Sequence, residues 1–176
     1  TYDADRFIKT IELAAEKSGW FKKRKKGVSL GFSVYYSHLS YVAQVAEVVK
    51  RKGKFTLQKV YCAVDCGIVV NVSGALNQVV GSIVDGLGHA MYGQLTFKDS
   101  ETEQKNFNSY RLIRIHEIPE VEVHFVDNGI DPTGLGEPAL PPLSGAVANA
   151  FYKAMGKRFR NQPFVNEGDG VMEGVL

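Results

Sequence analysis

A chain of 176 residues with 44% hydrophobic residues is long enough to bury the core of one domain. The net charge of +2 is too close to zero to indicate a nucleic-acid partner, and no run of about 18 apolar residues predicts a membrane span. The chain opens on TYDADRF, without a methionine or a basic and apolar leader, which predicts a processed or truncated protein.

The first predicted element is a helix in DADRFIKTIELAAEKSGW, where apolar residues recur along one face. Asp3 is its candidate N-cap and Gly19 is the candidate residue at which it stops. The basic run at residues 22–26 is predicted to be a solvated loop. A polyanion-binding site or a targeting signal is the alternative for this run.

Three strands are predicted next, in VSLGFSVYYS, SYVAQVAEVVK and FTLQKVYCAVDCG. Because short polar turns join them, they are expected to form an antiparallel meander. Cys62 and Cys66 would lie on one face of the third strand, about 13 Å apart at roughly 3.3 Å per residue. They are therefore predicted to be free thiols. The histidines are scattered, so no metal ligand is predicted.

A second helix is predicted in SGALNQVVGSIVDGLGHAMYGQL, with Ser73 as its candidate N-cap. Gly81 and Gly88 lie within the apolar repeat, which indicates either close packing of the helix on the sheet or close approach of a ligand. The stretch GLGHAM fails as a dinucleotide-binding fingerprint. Met91 occupies the third glycine position, and the motif lies inside the helix.

After a polar connection, IPEVEVHFVD alternates as a strand, and PLSGAVANAFYKAMGK predicts a third helix that ends at Gly156. This order predicts an α+β fold, with a mostly antiparallel or mixed sheet and helices packed on one face. Residues 1–176 are expected to form a single domain, in which residues 165–176 are a flexible tail.

The segment DPTGLGEPALPPL, just before the third helix, holds Glu137 between glycines and prolines. Gly134 and Gly136 permit a backbone close to a ligand, and Pro138 favours an extended conformation at Glu137. A carboxylate held still in this way suits general-base catalysis. The alternative is a surface turn residue favoured by the dipole of the following helix. The residues alone show no triad or metal cluster beside Glu137, so both interpretations stay open.

Four blocks of the sequence, in this order, resemble the molybdenum-binding subunit of the xanthine dehydrogenase and aldehyde oxidase family. The blocks are VDCGIVVN, NQVVGSIVDGLGHAM, NFNSYRLIRIHEIPEVEVHFVD, and GLGEPALPP with AVANAFYKAMGKRFRNQPF. The stretches YGQLTF and GLGEPALPPL are most similar to the family branch that holds the beta chain of isoquinoline 1-oxidoreductase. The resemblance runs over residues 5–164, and one departure is Val72, where many relatives have proline.

The resemblance implies that Glu137 is the active-site base, which takes a proton from a molybdenum-bound hydroxide. The oxygen then attacks a carbon next to a ring nitrogen, or an aldehyde carbon. Gln78 and the backbone of Gly134, Leu135 and Gly136 are implied to contact the molybdopterin, which is expected in its cytosine dinucleotide form. The implied partners are a [2Fe–2S] small subunit and the rest of the molybdenum subunit.

Family members are several times longer than this chain, so the resemblance also implies a C-terminal segment of a larger subunit. Its upstream cofactor loops would lie elsewhere, and the segment alone is expected to bind no cofactor and to be inactive. The branch leads us to expect a bacterial, periplasmic protein. Two alternatives remain at this point: a binding module of the same ancestry that has lost catalysis, and an unrelated α+β ligand-binding domain.

Overall fold

The structure is a computed structural model that describes residues 2–167 and 171. Its helices and strands follow the predicted order, which confirms the α+β class. One small hairpin, β4–β5, is added in the polar connection. The elements are α1 (Ala4–Ser18), β1 (Val28–Ser37), β2 (Ser40–Arg51), β3 (Lys54–Asp65), α2 (Val72–Met91), β4 (Phe97–Lys98), β5 (Glu101–Thr102), β6 (Glu120–Phe125) and α3 (Pro141–Met155).

Four strands form one mixed sheet in the order β1–β2–β3–β6. β1, β2 and β3 are antiparallel neighbours, which confirms the predicted meander. β6 lies beside β3 in parallel, with Lys59 opposite Glu120 and Val64 opposite Phe125. A parallel pair needs a long crossover, and the connection that contains α2 supplies it.

The helices cover both faces of the sheet. Ala14 of α1 packs with Ala43 and Val45 of β2 in one apolar cluster. α2 and α3 pack against the opposite face, where Val42 and Ala46 belong to a second, larger cluster. The prediction of helices on one face is therefore wrong for α1. The physical reason is that residues 40–46 of β2 are all buried, and such a strand needs a cover on each side.

Two helix ends lie where local signals placed them. The Asp3 side chain caps α1 and accepts hydrogen bonds from the backbone N–H groups of Asp5 and Arg6. Gly19 and Gly156 follow α1 and α3 in the left-handed conformation, with φ of 61° and 75°. Glycine adopts this conformation without a Cβ penalty, so both helices stop at the predicted residues.

α2 begins two residues earlier than its predicted cap implies. Asn71, not Ser73, is the N-cap, because the Asn71 side chain accepts a hydrogen bond from the Gly74 N–H. Val72 becomes the first residue of the helix, a position that proline also suits. The exchange of proline for valine at this point is therefore compatible with the same helix start.

Several smaller predictions concern single residues. Cys62 and Cys66 are free and buried, as predicted, and burial raises the pKa of the Cys62 thiol to about 12. The basic run at residues 22–26 lies in the loop between α1 and β1. Within the described residues, no helix is both long and apolar enough to cross a membrane.

The tail prediction for residues 165–176 falls mostly outside the described residues, which include only 165–167 and 171 of this range. Val165 and Val171 both pack against the larger apolar cluster. Val171 also forms an isolated parallel bridge with Phe55 at the start of β3.

The long connection between α2 and β6 is fastened by one buried carboxylate, Glu117. Its oxygens accept hydrogen bonds from both terminal nitrogens of Arg111, at 2.5 and 3.1 Å, and from the Tyr92 hydroxyl at 3.1 Å. The Arg114 backbone N–H donates to it at 2.5 Å. Burial alone would raise the pKa of Glu117, but the Arg111 and Arg114 donors outweigh burial and hold the pKa below its usual value.

Replacing Glu117 by glutamine is expected to lower the free energy of unfolding by about 2 kcal/mol at neutral pH, because the charged hydrogen bonds to Arg111 are lost. The loss should shrink in acid. A carboxyl with a depressed folded pKa stabilises the fold above its unfolded pKa and loses that contribution as the pH falls through the folded pKa. Urea unfolding of both proteins at neutral and acidic pH measures this difference. A loss that grows in acid contradicts the assigned ion pair.

Candidate active site

The loop that carries Glu137, residues 131–140, is held from one side by α2. The Gln78 side-chain amide donates a hydrogen bond to the Gly136 carbonyl, with Nε2 and O 2.6 Å apart. The Ser82 hydroxyl, one helical turn later, donates to the Gln78 carbonyl at 2.9 Å and lies 3.4 Å from the same Gly136 oxygen. The carbonyl directly before Glu137 is therefore fixed by a side chain that is distant in sequence.

β2 holds the same loop from the interior of the fold. The Ser40 hydroxyl donates to the Gly134 carbonyl at 2.6 Å, and the Gln44 amide donates to the Ala139 carbonyl at 2.6 Å. Both donors are fully buried. The backbone is thus held on both sides of Glu137 by residues of one strand, and buried hydrogen bonds of this kind keep a segment in one conformation.

The glycines of the loop have different roles. The Gly134 N–H donates to the His38 carbonyl at 3.0 Å, and a Cβ on Gly134 would lie 2.5 Å from the His38 Cβ. Gly134 therefore permits close approach to the turn between β1 and β2. A Cβ on Gly136 would meet no atom of the described residues within 4 Å, so the space beside Gly136 is open.

Glu137 is exposed and lines an open cavity of 450 Å³. Gln78, Ser82 and Asp85 line the same cavity from α2. Within residues 2–167 and 171, the Glu137 carboxylate makes no side-chain hydrogen bond or ion pair. The side chain is therefore available to a ligand, while its backbone is held.

Leu135 points into a second, smaller cavity of 260 Å³, which Gln78 also lines. Cys66 and Asn71 contribute to this cavity from the segment between β3 and α2. The structure therefore brings four of the predicted site residues, Gln78, Leu135, Gly136 and Glu137, to two adjoining cavities. Gly134 lines neither cavity and contacts the β1–β2 turn instead.

The block VDCGIVVN contacts the start of the Glu137 loop. Asp65 is fully buried and accepts hydrogen bonds from Arg6 at 2.7 Å, from the Asn128 side chain at 2.6 Å and from the Gly67 N–H at 3.2 Å. Gly67 has φ of 69°, and a Cβ there would overlap the Asp131 carbonyl. Glycine is therefore required at the point where this segment meets the start of the Glu137 loop.

Three residues that hold the loop were missed in the sequence: Ser40, Gln44 and Ser82. Ser82 could have been found, because it lies four residues after Gln78 and so shares its helix face. Gln44 is a polar residue inside an apolar run of β2, which is a signal of a buried hydrogen bond. Its partner, 95 residues away, cannot be read from that pattern. In the described part of the chain, no three His, Cys, Asp or Glu residues lie close enough to bind a metal ion.

Comparison with known proteins identifies the class to which this fold and loop belong. The family described as "Molybdopterin cofactor-binding domain" matches residues 4–119. The chain belongs to this family, and the resemblance to molybdenum hydroxylases found in the sequence is confirmed. The matched region contains α1, β1 to β3 and all of α2 with Gln78, and it ends before β6 and the Glu137 loop.

Curated relatives are similar in sequence to this chain over a small part of their own length. The chain is 34% identical over 122 residues to the membrane-bound aldehyde dehydrogenase [pyrroloquinoline-quinone] of Gluconacetobacter polyoxogenes, covering 69% of this chain and 16% of the relative. It is 28% identical over 158 residues to the beta chain of isoquinoline 1-oxidoreductase of Brevundimonas diminuta, covering 87% and 20%. A nicotinate dehydrogenase subunit of Pseudomonas putida is 31% identical over 129 residues, covering 73% and 11%. The chain thus spans a fifth or less of each relative.

Solved structures share the fold. The aldehyde oxidoreductase from Desulfovibrio desulfuricans aligns with a TM-score of 0.60 and 26% identity, over 70% of this chain and 14% of that one. Quinoline 2-oxidoreductase from Pseudomonas putida 86 aligns with a TM-score of 0.60 and 17% identity, over 71% and 17%. At that lower identity the likeness shows the fold alone.

Proposed function

We propose that this chain is a segment of a longer molybdenum subunit and that it contributes the active-site base of a molybdopterin-dependent hydroxylase. Family membership supports the cofactor class. The names of the relatives include an aldehyde and two N-heterocycles, isoquinoline and nicotinate, which supports an aldehyde or an N-heterocycle as the substrate class.

One observation carries the role of Glu137. Its carboxylate is exposed in a cavity without a partner in the described residues, while side chains hold the carbonyls of Gly134, Gly136 and Ala139 around it. Water solvates an exposed carboxylate, so an ordinary surface turn residue would also lack a protein partner. The distinguishing feature is the backbone held on both sides of Glu137. A general base needs such a free carboxylate on a fixed backbone, within reach of the proton that it accepts.

The residues at the two cavities fit a flat cofactor with hydrogen-bonding edges. Gln78 uses one N–H on Gly136, so its second N–H and its carbonyl oxygen are available on an exposed side chain. The open space beside Gly136 lets a ring system approach the backbone, and Leu135 offers an apolar contact. We assign molybdopterin contacts to Gln78, Leu135 and Gly136, with the cytosine dinucleotide as the expected form.

The bound cofactor would supply the two-electron acceptor and an activated oxygen nucleophile. Glu137 would accept the proton that this nucleophile loses, and Gln78 would keep the Glu137 backbone in place while it contacts the cofactor. Because Glu137 is exposed in this chain, the remainder of the longer subunit would have to cover it and exclude water. We assign the N-heterocycle or aldehyde site to that covered cavity, and a [2Fe–2S] subunit to the onward transfer of electrons.

Cofactor content tests the proposal directly. The longer subunit, purified from its native host, is expected to contain molybdenum and a pterin dinucleotide in equal amounts. The 176-residue chain, prepared in the same host, is expected to contain neither. Metal analysis and mass spectrometry of the extracted cofactor measure both. A longer subunit that carries pyrroloquinoline quinone or no cofactor would overturn the proposal, and stoichiometric molybdenum in the short chain would show that the segment is sufficient by itself.

A further inference from the structure

We propose that Gln44 is a positioning residue that fixes the backbone position of Glu137 through a single peptide group. This inference rests on the proposed role of Glu137 as a base. Gln44 itself is fully buried in β2, lines neither cavity, and would touch neither substrate nor cofactor.

The connection runs through the peptide between Ala139 and Leu140. Gln44 Nε2 donates to the carbonyl of this peptide at 2.6 Å, and the N–H of the same peptide donates to the Glu137 carbonyl at 3.0 Å. Two hydrogen bonds on opposite ends of one peptide polarise each other, so each is strengthened by the other. The β2 strand and the Glu137 backbone are therefore joined by an unbroken chain of hydrogen bonds.

The burial of Gln44 indicates that its hydrogen bond to the Ala139 carbonyl is the reason for a polar residue at this position of β2. Its neighbours on the same strand face, Val42 and Ala46, are apolar members of the larger core cluster. The Gln44 side-chain oxygen is buried and accepts no hydrogen bond from any residue that the structure describes. A methionine would fill similar space without the cost of burying an oxygen that accepts no hydrogen bond. Glutamine is therefore favoured at this position only by the hydrogen bond that its side-chain amide donates to the Ala139 carbonyl.

The orientation of the amide is also determined by its surroundings. Nε2 faces the Ala139 carbonyl and lies 3.6 Å from the Cys62 sulfur. Turning the amide over would place two oxygens against each other, which neither can satisfy. Gln44 can therefore hold the Ala139–Leu140 peptide in one orientation only. This orientation directs the Leu140 N–H at the Glu137 carbonyl and so fixes the position of that carbonyl.

Gln44→Met removes the donor and keeps the approximate volume. In the complete subunit, we expect the Leu140 amide to exchange with solvent about tenfold faster, because the peptide loses its anchor. Hydrogen–deuterium exchange and mass spectrometry of the peptide containing Leu140 measure this without any turnover. We also expect kcat to fall about tenfold with KM little changed, since proton transfer depends on the position of Glu137 more than substrate binding does.

Thr56→Val is the matched control. Thr56 is also buried, in β3, with a hydroxyl that has no partner among the described residues, and it pairs with Val49, at the far end of β2 from Gln44. This variant should leave both Leu140 exchange and kcat unchanged. If Gln44→Met does not fold, Gln44→Leu removes the same donor and serves instead.

Two results would overturn the inference: unchanged Leu140 exchange in a folded Gln44 variant, or faster exchange with unchanged kcat in a subunit whose turnover is lost on Glu137→Gln. The exchange measurement does not depend on molybdenum. If Glu137 proved not to be a base, Gln44→Met would still speed up Leu140 exchange, and only its effect on kcat would disappear. Failure of the proposed function is thereby distinguished from failure of the hydrogen-bond connection.

Discussion

Replacing Glu137 by glutamine in the complete subunit is expected to lower kcat by about 10²- to 10⁴-fold, the usual contribution of a general base. Glutamine keeps the length of the side chain but cannot accept the proton. Because the Gly134, Gly136 and Ala139 carbonyls are held by other side chains, the loop should keep its conformation in the variant. Turnover with an aldehyde or N-heterocycle substrate measures the effect, and cofactor content should stay at the wild-type level.

Asp85→Asn provides the matched control, because Asp85 is a second exposed carboxylate on the same cavity. Its Oδ1 lies 3.7 Å from His89 Nε2 on the adjacent turn of α2, a neighbour of a kind that Glu137 lacks among the described residues. We expect this variant to keep most of its turnover. Equal losses in both variants would indicate a general effect of cavity charge, and near-normal turnover in Glu137→Gln would rule out Glu137 as the base.

The sequence was informative where a structure is decided by residues close together in the chain. The start of α1 at Asp3 and its end at Gly19 depend on hydrogen bonds within a few residues. The start of α2 shows the limit of this approach. Asn71 and Ser73 are both good capping residues, and only the backbone geometry selects Asn71.

Features that depend on distant parts of the chain were predicted less well. The alternation in β6 predicts a strand but does not reveal that it lies parallel to β3 rather than antiparallel. The expected fold has α1 on the same face as α2 and α3, whereas the structure places α1 on the opposite face of the sheet. A strand with seven consecutive buried residues cannot leave one face exposed to water.

The Glu137 loop combines both cases. Gly134, Gly136 and Pro138 made a held carboxylate recognisable from the sequence. The residues that hold it, Gln44 and Gln78, lie 95 and 58 residues from their partners, and only the fold brings them together. Pattern therefore located the candidate base, while tertiary structure was needed to show how its backbone is fixed.

The close packing of α3 on β1 predicts the second large effect, which concerns Gly31 of β1. A Cβ at this position would overlap the Ala146 carbonyl oxygen and the Ala150 backbone nitrogen of α3. Since both are backbone atoms of a regular helix, α3 would have to move away from the sheet. We expect Gly31→Ala to lower the free energy of unfolding by about 3 kcal/mol or more, at the upper end of the cost of overpacking. Because Pro141, the first residue of α3, follows the Glu137 loop, the shift should also reduce turnover in the complete subunit.

Gly81→Ala is the matched control for this substitution. Gly81 lies in α2, and a Cβ there would meet no atom of the described residues within 4 Å. The same added methyl group should therefore raise the free energy of unfolding by about 0.5 to 1 kcal/mol, because alanine is the better helix former. Urea unfolding of the two variants beside the parent measures both effects. A Gly31→Ala protein as stable as the parent would mean that α3 does not pack directly on the β1 backbone. The Glu137 loop, which leads into α3, would then lie in a different position relative to the sheet.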